Sequence, residues 1–199
     1  MHAATRHLRK DPVLAGIIRR VGPYRLVPRE PTFETLARSI TFQQLNGKAA
    51  RAIFERVRKA AGRRFTARAF LRLSDDELRA CGLSKQKIAS MRDLAEKVAQ
   101  REIDFRALPA MADEEIIATL SRVRGVGVWT AQMFLMFALE RPNVLPVADF
   151  GIRNAVRKAY GLPEMPKPAE LERIAAQWHP YCSVASWYLW RSLDGAAAG

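Results

Sequence analysis

The chain has 199 residues, 49% of them hydrophobic, and a formal net charge of +13. It is long enough to bury a core in one domain or two closely packed lobes, and too apolar for a disordered segment. Such a positive surplus argues for a polyanionic partner, nucleic acid being the commonest, with a merely basic globular protein as the alternative. No apolar run reaches the ~18–20 residues that a membrane helix needs, and residues 1–6 carry no apolar stretch of the secretory kind. The cysteines are two, Cys81 and Cys182, too few for a four-thiolate cluster, so no iron–sulfur cluster is expected. No zinc-ligand spacing occurs, and His2, His7 and His179 do not cluster. Reduced thiols fit a cytoplasmic or nucleoid location.

In chain order the sequence predicts helices and no strands, because β-branched runs alternating with polar residues are missing. After a basic start, residues 11–20 read as a short helix, and residues 23–31 as a connector broken by Pro23, Pro28 and Pro31. Thr32 can cap a helix with Phe33, Leu36, Ala37 and Ile40 on one face. Asn46 can cap the next, with Ala49, Ile53, Val57 and Ala60 as its apolar stripe. Ser74-Asp75-Asp76-Glu77 is a capping box opening a short helix that stops at Gly82. Ser84 starts another, turning Ile88, Met91, Leu94, Ala95 and Val98 inward. Further helices are expected over residues 112–120, 128–139, 150–160, 168–178 and 180–193, with an alanine-rich tail frayed beyond Asp194. The fold class is therefore all-α, with about ten helices.

Two features carry chemistry. Gly125 and Gly127 flank Val126 immediately before a helix. Such a turn leaves backbone N–H groups pointing outward, a ready phosphate site, although a lone pair of glycines also serves as an ordinary turn between helices. Asp149 then stands alone in the apolar stretch Leu145-Pro146-Val147-Ala148-Asp149-Phe150. It is either the cap of the following helix or an acid with chemistry to do.

Four segments in order set these features in a wider pattern. They are Ser39-Ile40-Thr41-Phe42-Gln43-Gln44-Leu45-Asn46-Gly47-Lys48-Ala49-Ala50, Gly82-Leu83-Ser84-Lys85-Gln86-Lys87, Val123-Arg124-Gly125-Val126-Gly127-Val128-Trp129-Thr130-Ala131 and residues 178–191, which include Trp187-Tyr188-Leu189-Trp190-Arg191. Together they resemble the helix-hairpin-helix DNA glycosylases (HhH-GPD superfamily), within them the 3-methyladenine glycosylase II branch, over most of residues 33–193. Arg124 departs from the family's proline, and Cys182 from its arginine. The resemblance implies one two-lobed helical domain over residues 1–199, with a cleft between the lobes and no N-terminal β lobe. One lobe would span about residues 33–103, the other residues 1–32 plus 104–199, with the hairpin at about residues 112–140. A monomer acting on double-stranded DNA with alkylated bases is expected.

A base inside a duplex has to be flipped out before a protein can act on it. The resemblance implies an anchor at the main-chain N–H groups of Gly125, Gly127, Val128 and Thr130, with Lys48 as a further phosphate contact and Arg153 beside the acid. It also implies a sodium or potassium ion on the carbonyls of Ser121, Val123 and Val126, and no other cofactor. Leu45 would plug the vacated stack with Gln44 and Asn46 in the minor groove, unless it is ordinary core. Trp129, Trp190, Phe150, Met133 and Tyr181 would line a base pocket with few polar groups, whereas Trp187 reads as core. The crowd Arg51, Arg56, Arg58, Lys59, Arg63, Arg64 and Arg68 can track phosphates or simply face solvent.

Asp149 would be the catalytic carboxylate, stabilising positive charge that develops on the sugar. The lack of a second nearby acid suits a leaving group that is already cationic, such as a purine alkylated at N3 or N7. Trp129 stands where bifunctional relatives carry a lysine nucleophile, so the reaction should end at an abasic site without strand cleavage. Two rival readings share the scaffold: a lesion-binding module without catalysis, and a glycosylase for mismatched or deaminated bases.

Overall fold

The computed structural model describes residues 2–194. Among them it has twelve α-helices: α1 (His2–Leu8), α2 (Pro12–Val21), α3 (Phe33–Phe42), α4 (Gly47–Ala61), α5 (Ala67–Leu71), α6 (Asp75–Ala80), α7 (Lys85–Ala99), α8 (Asp113–Ser121), α9 (Val128–Phe137), α10 (Phe150–Ala159), α11 (Pro168–Ala175) and α12 (Cys182–Asp194). Two 3₁₀ turns and no strand accompany them among the described residues. The alanine-rich tail expected to fray after Asp194 lies outside the described residues. Among the described residues no helix is long and apolar enough to cross a membrane.

The helices begin where short polar side chains can take up their first N–H groups. Asn46 Oδ1 accepts from the Ala49 N–H at 2.8 Å, and the Thr32, Thr66 and Ser84 hydroxyls accept from Thr35, Ala69 and Lys87. Ser74 and Glu77 form the full reciprocal box. The bond from the Ser74 N–H lowers the Glu77 carboxyl below its ordinary range.

The chain divides into two compact units, Arg29–Leu139 and the pair of segments Met1–Pro28 and Glu140–Gly199. This differs from the expected lobes, because residues 104–139 group with residues 29–103. The cause is a set of bonds between those stretches. Arg124 N–H donates to Asp93, Gln43 to the Gly125 carbonyl, Arg122 pairs with Glu102, and Arg29 N–H reaches the Phe137 carbonyl at 2.8 Å.

In the Arg29–Leu139 unit the expected α3 face is buried, and Phe33, Phe54, Phe65 and Phe70 form an aromatic cluster with centroids 5.4–6.4 Å apart. That cluster corrects the α4 stripe. Ala50, Phe54, Val57 and Ala61 are inward, while Ala60 is exposed. A ring buries far more area than an alanine, so Phe54 sets the rotation of the helix. On α7, Ile88, Met91, Leu94 and Ala95 are buried as expected and Val98 is half-buried.

In the other unit α12 buries Cys182 through Leu189 almost all round, which marks a central helix. Its core joins Leu14, Ile17 and Ile18 of α2 to Ile152 and Val156 of α10 and to Trp178. Asp11 is buried in this core and fully engaged. Its Oδ1 accepts from the N–H groups of Val13 (2.9 Å) and Leu14 (3.3 Å), and its Oδ2 from Trp178 Nε1 (3.1 Å) and the Tyr160 hydroxyl. Four donors offset the desolvation of one carboxylate. Burial, with the bond to Asp11, pushes the Tyr160 hydroxyl far above its ordinary range. Burial likewise raises the Cys182 thiol to about 12.

Candidate functional site

The hairpin turn after α8 closes with Val126 N–H on the Val123 carbonyl at 3.0 Å. Gly125 sits at φ +75°, and a Cβ there would lie 2.7 Å from Ser90 Oγ. Both conformation and space demand glycine at this point. Gly127 is different: its φ is −96° and nothing crowds it. It opens α9, which has no side-chain cap, beside an exposed Val128. The first turn of α9 thus lacks the side-chain acceptors that seven other helices carry, which leaves its N–H groups open to an anion.

Arg124, the departure from proline, has a structural reason. Its main-chain N–H, which proline would lack, donates to Asp93 Oδ2 at 2.7 Å, and Lys97 Nζ holds Asp93 Oδ1 at 2.6 Å. Burial opposes ionisation of Asp93, but the bonds from Lys97 and Arg124 prevail and hold its carboxyl below the ordinary range. At the end of α8 the Ser121 hydroxyl is buried with no hydrogen-bond partner. Ser121 is one of the three residues whose main-chain carbonyls were expected to hold a monovalent cation, and the carbonyl of another, Val123, already accepts from Val126 N–H.

A cavity of about 610 Å³ opens in the Arg29–Leu139 unit. Trp129 and Met133 of α9 line it together with Gln44, so these three expected residues do meet. The expectation of few polar groups fails here. Arg38, Ser39, Gln43, Gln86 and Lys87 share the lining, contributed by α3, its following turn and α7. Aromatic residues near the hairpin are visible in the local sequence, whereas the polar residues that share the wall come from distant stretches of it. Arg38 lies over the Phe42 ring, 3.7 Å from its centroid. Burial, and then the charges of Arg29 and Arg51, lower its guanidinium from the ordinary range.

Leu45 is 40% exposed, which excludes the core alternative. Gln44 beside it has φ +55°, uncommon for a residue with a side chain. The Asn46 side-chain oxygen is committed to its cap, and Lys48 is exposed in the first turn of α4. Of the arginine-rich group, Arg56 Nε donates to the Cys81 carbonyl and Arg58 pairs with Glu55, while Arg51, Lys59, Arg63, Arg64 and Arg68 are exposed.

In the other unit Asp149 is 8% exposed and serves as the cap of α10. Its Oδ1 accepts from Ile152 N–H at 2.7 Å and from Trp190 Nε1 at 2.9 Å. Both sequence readings are therefore compatible with one geometry: a cap that is also gripped by an indole. Gly151, unremarked in the sequence, makes room for the pair; a Cβ there would stand 3.1 Å from Asp149 Oδ1 and from Trp190 Nε1. Phe150 is 69% exposed. Trp187 is core, packed on Tyr24 and Tyr188. Tyr181 is half-buried, packing edge-on to His7 at 5.5 Å and against the core of its unit. Arg153 Nε is spent on the Pro166 carbonyl at 2.9 Å.

Comparison with known proteins accounts for this arrangement. A family model described as the HhH-GPD superfamily of base excision DNA repair proteins matches residues 37–180. DNA-3-methyladenine glycosylase 1 of Schizosaccharomyces pombe is 34% identical over 182 residues, covering 90% of this chain and 80% of that protein. The structure of the 3-methyladenine DNA glycosylase of that yeast, in complex with abasic DNA, superimposes with a TM-score of 0.86 at 32% identity, covering 96% of this chain and 97% of that one. The DNA-3-methyladenine glycosidase of Bacillus halodurans superimposes with a TM-score of 0.87 at 35% identity, covering 96% and 89%. This chain belongs to the HhH-GPD superfamily of base excision DNA repair proteins.

Proposed function

We propose that the protein is a monofunctional DNA glycosylase that flips alkylated bases of the 3-methyladenine and 7-methylguanine type out of double-stranded DNA and hydrolyses their N-glycosidic bonds. The observation that carries this reading is Asp149: an almost fully buried carboxylate with one oxygen fixed by a helix N–H and an indole N–H. A mere cap needs no second donor. The names of its relatives, 3-methyladenine glycosylases among them, support the substrate class.

On this reading the hairpin N–H groups and Lys48 hold the DNA backbone, and Leu45 occupies the gap in the stack. The exposed face of Trp129 offers a π surface to the extruded base. The bond between the sugar C1′ and the base nitrogen breaks with its electron pair leaving on the base. A cationic alkylated purine thereby departs neutral and needs no proton donor. The Asp149 carboxylate stabilises the positive sugar. Water then forms a bond from its oxygen to C1′ and releases one proton to solvent, leaving an abasic site. Trp129 offers no amine, so no covalent imine forms and no strand is cut. A sodium or potassium ion held by Ser121, Val123 and Val126 would add positive charge next to a bound phosphate. The protein would act as a monomer in the compartment that holds the DNA.

The polar cavity wall favours a second reading, excision of neutral deaminated bases, which need hydrogen bonds in order to leave. One experiment separates them: incubate the protein with methylated DNA and with duplexes carrying uracil or hypoxanthine, and identify the released bases by chromatography. Release of 3-methyladenine ahead of uracil, with no adduct trapped by borohydride, is expected. Selective release of uracil would install the second reading, and a trapped adduct would refute the monofunctional assignment.

A further inference from the structure

Helix α7 carries a polar stripe, Lys87, Ser90, Asp93 and Lys97, at spacings of three and four. By itself such a stripe reads as a solvated face. In the structure its members grip the two turns assigned to DNA. Lys87 Nζ donates to the Thr41 carbonyl at 2.6 Å and the Gln43 carbonyl at 2.8 Å, closing the end of α3 where the Leu45 turn begins. Ser90 abuts Gly125, and Asp93, held by Lys97, accepts the Arg124 N–H. A cross-tie completes the arrangement. Gln43 Nε2 donates to the Gly125 carbonyl at 2.9 Å and approaches Thr130 Oγ1 at 3.4 Å.

We infer that Gln43 and Lys87 are positioning residues that lock the Leu45 turn to the hairpin through α7, so that wedge and backbone anchor meet DNA as one rigid piece. The inference rests on the wedge and anchor roles proposed above. Its physical logic is pre-organisation. A turn that holds Gln44 at φ +55° has more populated alternatives in a free chain. If it relaxed between encounters, the wedge would have to be re-formed at each one, at an entropic cost. The pin removes that cost in advance. Lys87 suits the task because its ammonium can serve two carbonyls at once; burial lowers its ordinary affinity for the proton, and the two acceptors make the contact worthwhile.

The test uses the full chain and a duplex with a tetrahydrofuran abasic analogue next to 2-aminopurine, whose fluorescence rises when its neighbour is unstacked. No cleavage is needed. Leu45→Gly is the reference for loss of the wedge. Gln43→Ala and Lys87→Met should lower the signal at saturating protein about two- to tenfold, the range expected from losing one such hydrogen bond. Lys87→Arg should restore most of it, and thermal melts should show each variant folded under the assay conditions. On the Leu45→Gly background Gln43→Ala should cause no further loss, because a pin without a wedge holds nothing. Full signal in both single variants, loss that multiplies undiminished on Leu45→Gly, or loss that tracks the unfolded fraction would overturn the inference. If Leu45→Gly itself kept the full signal, the wedge assignment would fall and the inference with it. If Leu45→Gly lowered the signal and the pins did not, only the inference would fall.

Discussion

Replacing Asp149 in two ways separates its role as a cap from its role as an acid. Both bonds, from Ile152 N–H and Trp190 Nε1, converge on Oδ1. In Asp149→Asn the amide oxygen can take that place and keep both. What is lost is the charge at the start of α10, worth about 0.3–1 kcal/mol to stability. Asp149→Ala loses the cap, about 0.5–2 kcal/mol, and takes an acceptor from a half-buried indole N–H, about 1–3 kcal/mol. The alanine variant should therefore melt roughly 5–15 °C lower, at about 2–4 °C per kcal/mol for a chain of this size, and the asparagine variant within a few degrees of the parent. Excision should follow the charge and not the stability. Both variants should lose about 100-fold or more in the single-turnover rate of release of 3-methyladenine, as when a group aimed at transition-state charge is removed. Thermal denaturation and chromatography of released bases give the two readouts. Asparagine excising at the parental rate would reduce Asp149 to a cap and refute the reasoning.

Gly151→Ala should gain up to about 1 kcal/mol of helix propensity, yet slow excision by about tenfold, because its methyl displaces the Asp149–Trp190 pair by a few tenths of an ångström; an unchanged rate would show that the pair tolerates the shift. Gly125→Ala should destabilise by more than about 2 kcal/mol, from the positive φ and the collision with Ser90, and weaken DNA binding. Adding Ser90→Gly should recover the steric part alone, as measured by denaturant melts. Asp93 titrates below the ordinary carboxyl range in the folded protein, so its stabilisation of the hairpin is complete above about pH 4 and fades as pH falls through the lower folded value. Deuterium exchange at the Arg124 amide should accelerate across that acid window beyond the intrinsic rate, and Asp93→Asn should abolish the dependence.

Much of the fold was legible because helix starts are local. Thr32, Asn46, Ser74 and Ser84 each satisfy an N–H three residues on, and each is a cap in the structure. The turn at Gly125 was legible because its glycine answers a backbone need. What escaped depends on partners far off in the chain. Phe54 turns α4 by one position because Phe65 and Phe70 wait for it, and no window along α4 contains them. The polar stripe of α7 looks solvated until Thr41, Gln43 and Arg124 are brought to it from 31 to 46 residues away. Helix α1 was missed because it buries only Ala4 and Leu8, too little for a periodic signal. For the candidate site, the exposure of Leu45, the cavity lined by Trp129 and Met133 and the capping bond of Asp149 each follow from local sequence, whereas the half-burial of Tyr181 depends on His7 and a core assembled from distant segments.

The burial of Asp11 among Tyr160 and Trp178 bears on how the chain is made. The Arg29–Leu139 unit is one uninterrupted stretch whose ends meet in the bond from Arg29 to Phe137, so its core is complete once residue 139 has left the ribosome. Helices α1 and α2 are synthesised before that unit, yet their partners Trp178 and Tyr188 arrive after it. During translation these two helices must stay unpaired while a whole unit folds behind them, with Leu14, Ile17 and Ile18 exposed to whatever else is present. The interval in which this protein is vulnerable to aggregation is thus set by the distance from α2 to α12 along the message, and it closes only when α12 docks.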